Sequence, residues 1–253
     1  AEMMKYVDNT YHGLKIVFAN EVGNICKALG IDSHKVMEIF CKDKQLNISP
    51  YYFKPGFAYG GSCLPKDSKA LRTLAHDLYV DCPVINAINP SNELQKKNAI
   101  DIIESKGKRK IGILGLSFKA GTDDLRCSPI IDVADALLGK GYEIKIYDKN
   151  VAISQKTNTN ADFIAAKLPH LHGIITDDLD SVCSASDVLV ITNKGKEFAD
   201  VPAKYPHKAI VDLVRQFQTI DYEGNYEGIS WGNINQNPAQ NDKLVRDMAT
   251  TEF

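Results

Sequence analysis

Apolar residues in the first part of the chain recur at the spacing of a helix. The longest such run, residues 2–29, has the pattern of one buried stripe, and Gly30 supplies a stop after it. The predicted helices cover residues 2–29, a segment from the capping residue Asp32 to Phe40, a segment from Pro65 to Leu78, and residues 91–105 with Ser91 or Asn92 as the cap. This part of the chain is therefore predicted to be mainly helical.

The periodicity changes after the basic stretch 107–110, where short apolar runs begin to alternate with helical segments. Predicted strands cover residues 110–116, 142–148, 187–192 and 209–214, and predicted helices cover 128–141, 160–168 and 178–184. This alternation predicts an α/β domain with a doubly wound parallel sheet, whose ligands bind beyond the carboxyl ends of the strands. We therefore divide the chain into a helical domain (1–105), a sheet domain (106–231) and a polar tail (232–253).

Charge and composition exclude several classes of partner. The formal net charge is -2, from 30 Lys and Arg against 32 Asp and Glu, so no global field would attract nucleic acid or an anionic membrane. No apolar run approaches the roughly 20 residues of a membrane-spanning helix, and the N-terminus has no secretory signal pattern. The six cysteines are scattered, without a CxxC pair or a metal-type spacing. We expect a cytoplasmic protein without structural zinc or a disulfide framework.

The stretch "GFAYGGSCLPKD", residues 56–67, is the strongest candidate for chemistry. Cys63 lies just before a predicted helix start, where backbone N–H groups and the helix dipole favour a thiolate. Lys66 adds positive charge, while Asp67 opposes it. Gly60 and Gly61 would let the backbone approach a substrate closely. The alternative is an ordinary semi-buried thiol in a turn rich in glycine and proline.

Two further polar features are less specific. On the first helix Lys5, Asn9, His12 and Asn20 fall on one face, which could line a site or could simply be solvated. The segment "GLSFKAGTDDLR", residues 115–126, follows the first predicted strand but lacks the GxGxxG pattern of a dinucleotide site. Its basic residues, Lys119 and Arg126, could meet phosphates or a carboxylate, or could belong to a charged loop.

Four separated segments resemble the nucleotide-sugar 6-dehydrogenases, which oxidise the C6 alcohol of a sugar to a carboxylate. They are "KYVDNTYHGLKIVFANE" (5–21), "PGFAYGGSCLPKD" (55–67), "GILGLSFKAGTDDLRCSP" (112–129) and "GKGYEIKIYD" (139–148), and they occur in the order of the family. The resemblance extends over nearly the whole chain to Trp231. It implies a helical dimerisation domain that carries the catalytic cysteine, followed by a Rossmann-like domain that holds the nucleotide-sugar.

The resemblance also implies roles for individual residues. Cys63 matches the nucleophile that attacks the C6 aldehyde and forms a thioester, which water then hydrolyses. Lys5 matches a lysine that stabilises the oxyanion, and Asn9 and Asp67 match residues that position water and assist proton movement. The positions that match contacts to the nucleotide-sugar are His12, Asn20, Asn47, Tyr51, Tyr52, Lys54, Phe57, Gly60 and Lys119.

The resemblance also bears on two basic positions, Lys54 and Arg126. The family commonly has Arg where Lys54 stands, and Lys keeps the charge but loses the bidentate phosphate geometry. Arg126 matches a residue that reaches the cofactor NAD, which the family binds mainly through an N-terminal domain that this sequence does not match. We expect the chain to be the C-terminal portion of such an enzyme and to be inactive by itself.

The segment "LNISPYYFKPGFAYGGSCLPKD" favours GDP-mannose as the nucleotide-sugar, with UDP-glucose or a UDP-N-acetyl sugar as the alternative. A homodimer is implied by the family, although the apolar face of the first helix could equally pack within one subunit. A non-catalytic binding or dimerisation module is the competing interpretation. Selective reactivity of Cys63 would distinguish an enzyme from such a module.

Overall fold

The computed structural model describes residues 2–29, 31, 33–49, 55–61, 63–117, 121–156, 171, 173–218, 220, 222 and 224–231, without the side chains of residues 2–10, 12, 13, 16, 17, 155 and 156. The described chain divides into two compact units. The first unit contains the described residues up to 49 and the segment Pro65–Ser91. The second unit contains Pro55–Leu64 and the residues described from Asn92 onward.

The first unit is helical, as the apolar pattern predicted. Its elements are α1 (Glu2–Ala28), α2 (Ser33–Phe40), nearly all of α3 (Leu64–Asp77) and the beginning of α4 (Pro83–Ser105). Its buried core consists of Ile25, Ala75, Cys82 and Ile85, with Phe18, Leu71, Leu78 and Val80 packed against them. The stop at Gly30 and the cap at Asp32 lie outside the described residues.

The apolar stripe of α1 is only partly buried within this chain. Ile25 is 3% exposed, but Leu14 and Leu29 are 46% and 43% exposed. The described residues of this chain therefore leave Leu14 and Leu29 uncovered. The reason is the small size of the described core, which contacts α1 around Phe18 and Ile25.

Helix α4 begins earlier than the sequence indicated. It is continuous from Pro83 to Ser105 and passes through Pro90, so the predicted cap at Ser91 or Asn92 is wrong. The N-terminus is instead capped by Glu21, whose carboxylate accepts hydrogen bonds from the N–H groups of Val84 and Ile85 at 2.8 and 2.9 Å. Proline suits the first turn of a helix, where its missing N–H costs nothing, and the helix tolerates the loss of one bond at Pro90.

The second unit contains the predicted doubly wound sheet. Its strands are β1 (Lys110–Leu114), β2 (Glu143–Tyr147), β3 (Ile175–Thr176), β4 (Val188–Ile191), β5 (Ala209–Asp212) and β6 (Tyr226–Gly228). All pairs are parallel, and the order β3-β2-β1-β4-β5-β6 is that of a Rossmann-like fold. The α/β fold class is thereby confirmed, although β3 and β6 were not predicted.

Both faces of this sheet are covered, which explains why its central strands are apolar at successive positions. Ile111 and Ile113 point into one buried cluster, while Leu114 belongs to the cluster on the opposite face. The helices among the described residues of this unit are the second part of α4, α5 (Pro129–Gly139), α6 (Lys149–Lys156), α7 (Leu179–Ala185), a short 3-10 helix (Lys196–Phe198) and α8 (Val201–Lys204). The helix predicted over 160–168 and the polar tail 232–253 lie outside the described residues.

The division between the units falls at Ser91, within α4, whereas our predicted domain boundary lies at residue 105, where α4 ends. The segment Pro55–Leu64 also belongs to the sheet unit, although it lies inside the predicted helical domain. No helix in the part of the chain that the structure describes is long and apolar enough to cross a bilayer.

Candidate functional site

The segment that carries Cys63 is docked on the sheet unit. We call residues 55–61 together with Cys63 the Cys63 loop. Its Gly56 carbonyl accepts a hydrogen bond from Gln95 Nε2 at 2.6 Å, and Phe57 packs against the sheet core. The peptide of Tyr59 exchanges two hydrogen bonds with the side chain of Asn92. Since Asn92 and Gln95 lie on α4, this helix supports the first part of the loop.

The glycines of the loop face the turn that precedes α5. Gly61 has φ 83°, and its N–H donates to the carbonyl of Cys127 at 3.3 Å. A Cβ on Gly60 would lie 2.2 Å from that same carbonyl oxygen and 2.7 Å from Cδ of Pro129. Glycine is therefore required at residue 60 for docking of the loop, which is a reason distinct from the predicted approach of a substrate. The role of Gly60 in substrate binding remains a prediction.

Cys63 directly precedes α3 and has an exposed side chain. This is the position at which backbone N–H groups at the start of a helix point towards an anion, as the sequence suggested. Asp67 follows in the first turn of α3, is exposed, and lies 3.6 Å from the ammonium group of Lys66. An exposed pair of this kind contributes little to stability, so both side chains are available for other contacts.

Arg126 forms a bidentate ion pair. Its Nε and Nη2 donate to the two carboxylate oxygens of Asp124, both at 2.9 Å. The hydrogen bond from Arg126 lowers the pKa of Asp124, although partial burial opposes the shift. The same hydrogen bond raises the pKa of Arg126, and the thiols of Cys63 and Cys127 add smaller contributions in the same direction. The guanidinium therefore lies within electrostatic reach of both thiols.

At the edge of the sheet where β1, β2 and β4 end, the described residues line a small cavity of about 40 Å³, among them Gly115, Asp148 and Asn193. Asp148 follows β2, the strand end at which dinucleotide folds place the acid that binds a ribose. It is buried, and its two carboxylate oxygens accept four backbone N–H groups, from Leu116, Ser117, Asn150 and Val151, at 2.8–3.1 Å.

Four such bonds occupy the acceptor capacity of a carboxylate. Asp148 therefore stabilises the turn after β1 and the start of α6 rather than presenting an acceptor to a ligand. Since the GxGxxG pattern is also missing, the described turn after β1 and Asp148 lack the features by which a dinucleotide fold holds NAD.

The other predicted site residues are only partly described. Lys5, Asn9 and His12 lie on α1 without described side chains, and Tyr51, Tyr52, Lys54 and Lys119 lie outside the described residues. Asn20 is exposed and lines a groove between α1 and α2, within the first unit. Asn47 is exposed as well, and its Nδ2 donates to the carbonyl of Phe40 at 3.3 Å. The predicted convergence of Lys5, Asn9, Cys63 and Asp67 on one pocket therefore remains a prediction.

Sequence reasoning missed the residues that position the Cys63 loop. The sequence pattern indicates Asn92 only as a helix cap and indicates no role for Gln95 or Cys127. Their contacts join residues 33 or more positions apart in sequence, so no local pattern indicates them. Asp148 could have been found, because an acidic residue that ends a buried strand and precedes a helix is a common cap.

Two family models match most of the chain. Residues 1–94 match the central domain of the UDP-glucose/GDP-mannose dehydrogenase family, and residues 112–219 match the UDP binding domain of the same family. Among curated proteins, GDP-mannose 6-dehydrogenase of Pseudomonas aeruginosa is 48% identical over 232 residues, which cover 91% of this chain and 53% of that protein. UDP-glucose 6-dehydrogenase of Rickettsia bellii is 35% identical, covering 78% of this chain and 44% of that protein.

Solved structures agree with this assignment. A ternary complex of GDP-mannose dehydrogenase from Pseudomonas aeruginosa matches with a TM-score of 0.86 and 47% identity, covering 91% of this chain and 53% of that one. The chain thus spans about half the length of the curated relatives that it matches. From the two matched domains and the shared fold, we conclude that this chain belongs to the UDP-glucose/GDP-mannose dehydrogenase family.

Proposed function

We propose that the chain carries the reactive thiol and part of the nucleotide-sugar site of an NAD-dependent GDP-mannose 6-dehydrogenase, which acts in the cytoplasm. The reaction would oxidise the C6 alcohol of the sugar to the carboxylate of GDP-mannuronate. One structural observation carries the proposal: an exposed thiol precedes a helix in a loop that packing and hydrogen bonds hold in place. A nucleophile needs both access and a defined position.

Cys63 would act after the alcohol has been oxidised to the aldehyde. The thiolate adds to the aldehyde carbon and forms a carbon–sulfur bond, which gives a thiohemiacetal. Oxidation of this adduct gives a thioester, and water then breaks the carbon–sulfur bond, releasing the carboxylate and regenerating the thiol. The overall change removes two electron pairs from the sugar. The covalent step keeps the aldehyde bound between the two oxidations.

NAD is the hydride acceptor that we propose for the whole enzyme. The turn after β1 and Asp148 lack the features of a dinucleotide site, so the residues of this chain would act on the sugar. Lys5 would stabilise the oxyanion formed at the aldehyde oxygen, while Asn9 and Asp67 would orient the hydrolytic water. The exposed carboxylate of Asp67 supports this assignment, since a solvated acid can exchange a proton with water.

Substrate contacts are proposed at the positions that the family resemblance implies. Among described residues these are Asn20, Asn47, Phe57 and Gly60. The exposed side-chain amides of Asn20 and Asn47 support the proposal, because they can exchange water for hydroxyl or phosphate oxygens. Phe57 and Gly60 are held against the sheet unit and would act by shaping the loop.

We also propose that the enzyme is a homodimer through its helical unit. Support comes from large apolar side chains that this unit leaves exposed, namely Leu14, Leu29, Ile31, Val36, Ile39 and Phe40. Packing against a second copy of the chain would remove these side chains from water. Sedimentation equilibrium should give twice the mass of the 28.0 kDa chain, and a monomer at all concentrations would contradict the proposal.

The thiol chemistry can be tested without a cofactor. The 6-aldehyde of GDP-mannose should add to Cys63 and protect it from iodoacetamide. GDP alone has no aldehyde group and should form no such adduct. In the unliganded chain, iodoacetamide should modify Cys63 faster than the exposed thiols of Cys41 and Cys127. Cys41→Ser is the matched control and should leave protection of Cys63 unchanged. Equal labelling of all exposed thiols, with no protection by the aldehyde, would favour a non-catalytic module.

The choice of sugar is tested by titration calorimetry of the purified chain. GDP-mannose should bind more tightly than UDP-glucose or a UDP-N-acetyl sugar. Tighter binding of either uridine nucleotide would contradict the choice of GDP-mannose as the substrate. The chain is also similar to a UDP-glucose 6-dehydrogenase.

A further inference from the structure

A second thiol lies beside the Cys63 loop. The carbonyl of Cys127 is the group that accepts the hydrogen bond from Gly61 and that leaves no room for a Cβ on Gly60. Cys63 follows Gly61 by two positions, so the Cα atoms of Gly61 and Cys63 are at most about 7 Å apart. Cys63 is therefore only two residues away from the backbone group that contacts Cys127. Disulfides form between Cα atoms that are about 4.4–6.8 Å apart.

The backbone around Cys127 is itself well fixed. Cys127 has φ 51°, in the left-handed region that non-glycine residues rarely adopt. The turn is closed by hydrogen bonds of Ser128, whose N–H donates to the Leu125 carbonyl at 3.2 Å and whose Oγ donates to the Leu116 carbonyl at 2.8 Å. Cys127 is thus presented to the loop by a turn that is anchored to the end of β1.

Exposure and charge distinguish these two thiols from the others. Cys63 and Cys127 are both exposed and reduced, and both act electrostatically on the same guanidinium, that of Arg126. The thiolate is the form of a cysteine that reacts with oxidants, and both side chains are accessible to them. The remaining cysteines are either buried, as are Cys26, Cys82 and Cys183, or belong to the first unit, as does Cys41.

We propose that Cys63 and Cys127 form a reversible disulfide when the protein meets a peroxide, and that this bond is a redox modification site of the sheet unit. The thiolate of one cysteine attacks hydrogen peroxide, breaks the oxygen–oxygen bond and becomes a sulfenic acid, releasing hydroxide. The second thiolate attacks the sulfenic sulfur and displaces hydroxide, which forms the sulfur–sulfur bond. The two thiols lose two electrons and the peroxide gains them, giving water.

The disulfide requires only the two thiols and does not depend on the proposed dehydrogenase function. If Cys63 is the nucleophile of that reaction, the bond has a consequence for activity. It would mask the nucleophile and protect it from irreversible oxidation to sulfinic and sulfonic acids. A dithiol reductant would restore it.

The test is peptide mapping of the purified chain after treatment with hydrogen peroxide. Trypsin cuts after Arg126 and Lys140, so Cys127 appears in the peptide 127–140, while Cys63 appears in the peptide that ends at Lys66. Under non-reducing conditions we expect one cross-linked species with a mass about 2 Da below the sum of the two peptides. Dithiothreitol should return both peptides to their reduced masses.

Variants separate the disulfide from general oxidation. Cys127→Ser should abolish the cross-link and leave Cys63 as a sulfenic acid that reacts with dimedone, then as sulfinic acid at a rate roughly tenfold above that of the unmodified protein. Cys41→Ser is the matched control and should keep the cross-link. The proposal is overturned if peroxide oxidises Cys63 equally in the unmodified protein and in Cys127→Ser, with no cross-linked peptide. Failure of aldehyde protection with the cross-link present would instead count against the proposed function alone.

Discussion

Asn92 and Tyr59 exchange two hydrogen bonds. Oδ1 of Asn92 accepts the N–H of Tyr59 at 2.9 Å, and Nδ2 of Asn92 donates to the Tyr59 carbonyl at 2.9 Å. One side-chain amide thus satisfies both backbone groups of a residue in an irregular loop, where no neighbouring strand is available. The pair joins α4 to the Cys63 loop within the sheet unit.

Replacing Asn92 with Ala should loosen this loop. The backbone N–H and carbonyl of Tyr59 would both lose their partner, which costs about 1–3 kcal/mol when the groups stay away from water. We expect faster amide exchange at Tyr59 and Gly61, and a changed rate of Cys63 alkylation. Asn89→Ala, an exposed position on the same helix, is the control. Unchanged exchange in Asn92→Ala would show that the pair does not hold the loop.

Gly60→Ala should disturb the loop for a different reason. The new methyl group would overlap the Cys127 carbonyl, a backbone atom that cannot rotate away. Overpacking of this kind costs about 1–3 kcal/mol. Gly139→Ala is the matched control, because a Cβ there meets nothing within 4 Å. Urea unfolding should show a lower midpoint for Gly60→Ala only, and equal midpoints for the two variants would contradict the docking geometry.

Glu21→Ala should destabilise the helical unit. Glu21 is 7% exposed and caps α4 through two N–H groups, which would be left without an acceptor. The expected loss is about 1–3 kcal/mol in the free energy of unfolding, and Glu21→Gln should lose less because one acceptor remains. Glu38→Ala removes an exposed pair with Lys42 and should change little. The comparison is made by urea unfolding followed by circular dichroism.

Cys183 should make the stability of the protein depend on pH in the alkaline range. Burial is the main cause that raises the pKa of this thiol from 9.0 to about 12. A raised pKa stabilises the folded protein below pH 9, and this contribution is lost as the pH rises from 9 towards 12, since only the unfolded chain ionises there.

The free energy of unfolding of the unmodified protein should therefore fall, relative to that of Cys183→Ala, by roughly 1 kcal/mol per pH unit above pH 9. Cys41→Ala, which removes an exposed thiol, should follow the unmodified protein. If the two pH profiles were parallel, the Cys183 thiol would ionise as readily in the folded protein as in the unfolded chain, which would contradict the prediction.

The sheet could be predicted from the sequence because its signal is local. Ile111 and Ile113 lie in a run that is apolar at nearly every position, as expected for a strand covered on both faces. Two strands gave no such signal. Ile175–Thr176 is only two residues long, and Tyr226–Gly228 lies in a polar stretch that contains glycine, so neither shows a periodicity.

The candidate site likewise contains residues that could be predicted from the sequence and residues that could not. Cys63 could be predicted because glycines, a proline and a helix start surround it in the sequence. The start of α4 and the role of Cys127 could not be predicted, since Glu21 lies 63 positions before Val84 and Cys127 follows Gly61 by far more than one turn of helix. Such contacts depend on tertiary structure, which the helix and strand propensities of individual residues do not encode.

The order in which the chain is synthesised gives the docking of the Cys63 loop a further consequence. Cys63 leaves the ribosome well before Cys127 and before Leu213, whose carbonyl lies against Gly56. The loop can therefore reach its final position only after β5 has been made and added to the sheet, because its supporting contacts span much of the chain. During synthesis Cys63 therefore lacks the contacts that position its loop until the chain has been translated past Leu213.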